Sequence, residues 1–110
     1  MQFADLSLFA AKAASVAETL KLLANRRRLM VLCKLTELGT ANVGDLANAV
    51  GLSQSALSQH LAKMREERLV TFDRESQTLW YRIADDRIGV LLATLYQLYC
   101  ADGVAPGEEP

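Results

Sequence analysis

Gly51-Leu52-Ser53-Gln54-Ser55-Ala56-Leu57-Ser58-Gln59-His60-Leu61 is the run on which the fold turns. Gly51 stops a short helix spanning residues 43–50, which Asn42 can cap at its start, and Ser53 caps the next helix, residues 54–67. Only Gly51, Leu52 and Ser53 separate the two, and a tight glycine turn between two short helices is a helix-turn-helix. In the second helix Leu57, Leu61 and Met64 fall on one face and are predicted to pack inward. Ser55, Gln59, Ala62 and Glu66 point the opposite way, with Ser58 on the flank.

Working outward, Asn25 caps a helix over residues 26–38, which Gly39 ends. Before it, residues 4–24 place Leu6, Phe9, Ala13, Val16, Leu20 and Leu23 at helical spacing without Gly or Pro. After the helix-turn-helix the period changes. Residues 69–72 and 78–83 are rich in β-branched and aromatic side chains, and the polar residues 73–77 between them are predicted to be the loop of a β-hairpin. A last helix, residues 86–101, carries Ile88, Leu91, Leu92, Leu95, Tyr96, Leu98 and Tyr99. The order α-α-α-α-β-β-α predicts a mainly α fold with a small β-hairpin, a winged helix-turn-helix with one extra helix at each end. One domain over residues 1–101 accounts for it, and residues 102–110, rich in Pro, Gly and Glu, are expected to be a disordered tail.

Composition narrows the function. The chain has 110 residues, 51% of them hydrophobic, enough for one packed core. Twelve Lys and Arg nearly cancel thirteen Asp and Glu, so any basic surface has to be local. Two cysteines are too few for a disulfide framework or a self-contained thiolate zinc site, and the single histidine, His60, removes most histidine-based catalysis. With no glycine-rich phosphate loop and no nucleophile elbow, no enzyme is expected and no cofactor is called for. No apolar run is long enough to span a membrane, and the N-terminal stretch has no basic leader; a cytoplasmic location is expected.

The outward surface of the second short helix is unusual for a solvated face. Gln54, Ser55, Ser58 and Gln59 are small or amide-bearing where Lys and Glu would be commoner. Gln can pair bidentately with an adenine edge in the major groove, and Ser can donate or accept at several bases. These residues are therefore candidates to read double-stranded DNA. Lys63, Arg65 and Arg68 follow on later turns, and Arg74 lies in the expected hairpin loop, all suited to phosphate. Arg26, Arg27 and Arg28 open a helix against its dipole, which points to a partner for their charge, such as an intersubunit ion pair. His60 is expected to be half packed against the hairpin. The first and last helices carry more apolar surface than so small a domain covers. A homodimer through both would present two reading helices to half-sites of an inverted repeat ~34 Å apart.

Residues 22–29, Val43-Gly44-Asp45-Leu46, the run from Leu52 to Leu61 and the hairpin containing Tyr81 strongly resemble the ArsR/SmtB family of bacterial winged-helix repressors. The resemblance implies a homodimeric operator-binding repressor released by a small inducer. It puts Gln54, Ser55, Ser58 and Gln59 near the bases, and Arg74 with Gln77 in the wing. Both metal sites common in the family are missing as the family builds them. Asn42-Val43-Gly44 stands where a Cys-x-Cys would precede Asp45-Leu46, and the last helix has no histidine. Cys33 and Cys100 instead resemble the BigR/HlyU-like subgroup, with one cysteine on each of these two helices. That implies bridging of the pair by reactive sulfur species or oxidants, through a disulfide or a polysulfide link. By its place on the helix Cys33 is expected to be buried, and Cys100 more exposed and first to react. A direct disulfide needs Cα atoms within ~7 Å; a longer gap suits extra sulfur atoms. A regulator of the same family without thiol sensing, responding to an organic ligand or acting constitutively as an anti-silencer, remains the alternative.

Overall fold

The structure, a computed structural model, describes residues 5–100. Its elements run α1 (Leu6–Leu23), α2 (Arg26–Leu38), α3 (Val43–Val50), α4 (Gln54–Glu66), β1 (Val70–Glu75), β2 (Thr78–Ile83) and α5 (Asp86–Cys100). The expected tail and the outermost residues of the expected first and last helices lie outside the described residues.

The expected caps are in place. Asn25 Oδ1 accepts from the backbone N–H groups of Arg27 and Arg28 at 3.0 and 3.1 Å. Asn42 Oδ1 accepts from Asp45 N–H at 2.8 Å, and Ser53 Oγ from Ala56 N–H at 3.1 Å. Gly51 takes the left-handed conformation, φ 71°, that ends α3, and Leu52 N–H closes back onto Ala47 C=O at 3.0 Å. This turn sets α4 against α3.

The end of α4 uses the same geometry with a less suitable residue. Leu69 N–H bonds Met64 C=O at 2.9 Å, and Arg68 adopts φ 63° where glycine is the common choice. A left-handed non-glycine residue costs ~1–2 kcal/mol, part of which glycine's greater freedom in the unfolded chain would cancel. Arg68→Gly is therefore expected to raise stability by about 0.5–1 kcal/mol in urea denaturation; an unchanged or lower midpoint would refute it.

Strands β1 and β2 pair antiparallel from Val70↔Ile83 to Glu75↔Thr78. The connection is a two-residue turn, Ser76-Gln77, and not the five-residue loop expected from residues 73–77. Asp73, Arg74 and Glu75 are strand residues; β1 is exposed over this outer half, so no apolar alternation betrays it there. Ser76 has φ 59°, the positive value that a type II′ hairpin turn requires at its first central position. One face of the hairpin, Val70, Phe72, Leu79, Tyr81 and Ile83, packs on the helices. Phe72 and Tyr81 meet edge to face at 5.3 Å between ring centroids. The sequence offered no sign that the segment between α2 and α3 joins the sheet. Ala41 exchanges two backbone hydrogen bonds with Tyr81, at 2.8 and 3.0 Å, and makes a one-residue third strand.

The core lies where these layers meet. Val31, Leu32 and Leu35 of α2, Leu46 of α3, and Leu57, Leu61 and Met64 of α4 are fully buried, and Leu92 of α5 is 1% exposed. Helix α1 is different. It joins this core only through buried Leu23 and half-buried Leu22, while Leu6 and Leu20 remain 64% and 52% exposed. The Cα radius of gyration, 15.8 Å, exceeds the ~13 Å of a compact chain this long, as a projecting helix requires.

Candidate nucleic-acid interface

The site is built on α4. Its inward face is anchored by Leu57, Leu61 and Met64, all at 0% exposure, so the helix is held rigidly. Its other side leaves Gln54, Ser55, Ser58, Gln59 and Lys63 exposed, and apart from Lys63 that surface carries no charge until Arg65 and Glu66. Gln54 leans back toward α3: a Cβ on Gly44 would stand 3.5 Å from its Nε2. Among the described residues no group of three or more His, Cys, Asp or Glu is placed to hold a metal ion.

Arg74 and Gln77 are both exposed on the wing, Arg74 on β1 and Gln77 in the turn. Arg74 lines a shallow cleft together with Thr40, Asp73, Glu75 and Trp80. Asp73 is in turn paired with Arg82 at 3.1 Å.

Two of the arginines noted in the sequence are already engaged. The Arg65 guanidinium carbon lies 4.2 Å from the Phe72 ring centroid, a cation–π contact that joins α4 to the wing. Arg28 is not held for a second subunit: its Nη1 lies 2.8 Å from Glu67 within the same chain. Lys63, Arg68, Arg74, Arg26 and Arg27 are exposed, without an ion pair among the described residues. His60 is half-buried.

Cys33 and Cys100 are both free thiols and both half-buried, on α2 and at the end of α5. Cys33 is thus less enclosed than expected: it packs against the core only in part. Burial pushes the Cys33 thiol pKa up, and the charge that Cys100 would carry pushes it up further. Cys33 therefore stays protonated at neutral pH. No helix among the described residues is long and apolar enough to cross a membrane.

Comparison with known proteins agrees with this architecture. Residues 25–71, from the α2 cap into β1, match the model of the bacterial regulatory protein, arsR family. The HTH-type transcriptional regulator YgaV of Escherichia coli K12 is 38% identical over 96 residues, covering 87% of this chain and 97% of YgaV. The structure of reduced HlyU from Vibrio cholerae is 39% identical with a TM-score of 0.75, covering 84% of this chain and 96% of that one. The transcriptional repressor BigR from Xylella fastidiosa superimposes with a TM-score of 0.79 at 33% identity, covering 87% of this chain and 97% of BigR. A rigid helix-turn-helix with a wing, in a chain whose relatives are regulators over nearly their full length, identifies it as a DNA-binding transcriptional regulator, not an enzyme, of the arsR family.

Proposed function

We propose that the chain is a homodimeric repressor that binds an inverted-repeat operator and is released when Cys33 and Cys100 become bridged. Gln54, Ser55, Ser58 and Gln59 read base edges, Lys63 contacts phosphate, and Arg74 and Gln77 reach the backbone from the wing. The dimer is supported by α1. Leu6, Phe9, Ala13, Val16 and Leu20 are spaced alternately by three and four residues, the seam that a second helix fills, before Leu23 turns into the chain's own core. Along α5, Val90, Tyr96, Leu98 and Tyr99 are likewise exposed.

The observation that carries the switch is the pair of free, half-buried thiols on α2 and α5, two helices that pack directly on each other. Burial disfavours the Cys33 thiolate, and Cys100, at the end of α5, is the first nucleophile. Its thiolate attacks the sulfane sulfur of a low-molecular-weight persulfide and displaces the thiolate, giving a Cys100 persulfide. Cys33 then attacks the Cys100 sulfur, a disulfide forms and hydrogen sulfide leaves; a further sulfane sulfur gives a longer bridge. Joining α5 to α2 shifts the assumed dimer helix against the core, and the separation of the two reading helices with it. That one relative is described in a reduced form and another as a repressor supports the reading.

Cys33→Ser and Cys100→Ser are each expected to bind DNA as the parent chain does and to lose the response to a persulfide donor, read by gel shift. Mass spectrometry should find the bridge in the parent chain alone. If both variants still respond, the switch is wrong and both cysteines are packing groups, while DNA binding stands.

A further inference from the structure

Arg28 and Glu67 each sit where their own helix disfavours them. Arg28 is in the first turn of α2, beside the positive end of the helix dipole. Glu67 caps α4, beside the negative end. Each is at odds with its local structure, and they offset each other only because the fold brings α2 and α4 together. The contact is 2.8 Å long between side chains that are 12% and 21% exposed. The same Arg28 nitrogen donates to the Leu22 carbonyl at 3.1 Å, one of the carbonyls left open by the end of α1. Glu67 Oε1 is buried and, among the described residues, has no hydrogen-bond partner besides this charge.

One guanidinium therefore joins the last turn of α1 to the last turn of α4. Among the described apolar side chains of α1, Leu22 and Leu23 are those that reach the core of the domain. We propose that Arg28 is a positioning residue: shared between Leu22 and Glu67, it sets the angle between the projecting helix α1 and the reading helix α4, and so the half-site spacing that the dimer accepts. This rests on the operator-binding reading above. Arg28 acts through Glu67 and touches no DNA; Glu67, a carboxylate, strengthens binding although its charge is repelled by phosphate.

That sign is the test. The probe is a labelled duplex enriched by the parent chain from a random-sequence pool, with versions one base pair longer and one shorter between half-sites. Arg28→Ala and Glu67→Gln are each expected to weaken binding by about tenfold and to blunt the discrimination among the three spacings. Arg28→Lys, which keeps the charge against Glu67, is expected to retain most of both. The slope of log affinity against log salt stays unchanged in Arg28→Ala, whereas loss of a phosphate contact would lower it by ~0.9. Glu67→Gln binding as tightly as the parent chain, or more tightly, overturns the proposal. So does a fall in melting temperature with affinity and spacing preference intact, or a reduced salt slope in Arg28→Ala. A pool in which the parent chain enriches nothing removes the operator reading, and this inference with it; enrichment followed by an indifferent Glu67→Gln removes this inference alone.

Discussion

Replacing Val16 and Leu20 together by glutamate is expected to leave a folded monomer that binds operator DNA about 10²–10⁴-fold more weakly than the parent chain. Both side chains are exposed in the single chain, Val16 at 36% and Leu20 at 52%, so the core built on α2 to α5 does not lose a contact. In the dimer they sit mid-seam, where four added carboxylates would be stripped of water and set against one another. A monomer retains one reading helix and loses the advantage of a second half-site held nearby. Sedimentation at micromolar concentration reads the assembly, circular dichroism the fold, and fluorescence anisotropy the affinity. A dimer that survives both charges, or a monomer that binds the full operator undiminished, would refute the role given to α1.

Ser55→Glu is expected to reduce specific binding at least a hundredfold, roughly the several kcal/mol that an unpaired carboxylate costs against phosphate and base acceptors. Gln59→Ala should lose about 1–3 kcal/mol and relax the preference at one base position. Lys63→Ala should weaken binding evenly across sequences and reduce the salt slope by about 0.9. All three side chains are exposed, and stability should move by no more than about 0.5 kcal/mol. The contrast between Gln59 and Lys63 is the informative part, because only a base-reading residue alters which duplex is preferred. Binding by Ser55→Glu equal to the parent chain would place the DNA on another face.

Helix boundaries were legible because the chain writes them in local chemistry. Asn25, Asn42 and Ser53 supply the first orphan N–H groups with acceptors, and Gly39 and Gly51 take the positive φ that ends a helix. The inward face of α4 was legible from spacing. What escaped the sequence depends on groups distant along the chain or on surfaces without an apolar pattern. Strand residues Asp73 to Glu75 are polar because the wing stands in solvent. The partner of Arg28 lies thirty-nine positions away, and the three arginines looked alike until the fold brought Glu67 to one of them. Arg65 looked free for phosphate because nothing local reveals that Phe72 comes to lie under it. The half-burial of Cys33 depends on how the other elements pack on α2, which helix spacing does not tell.

The two hydrogen bonds between Ala41 and Tyr81 make the wing a cantilever clamped part-way along its length rather than at its root. Beyond the clamp, β2 runs four residues to Gln77, an overhang of roughly 13 Å. A rocking of 10° there carries the tip through ~2 Å, about the difference between a hydrogen bond and none. The Tyr81 amide should consequently exchange its hydrogen slowly and the Gln77 amide quickly, and any strain arriving through the stem between α2 and α3 is magnified before it reaches the duplex.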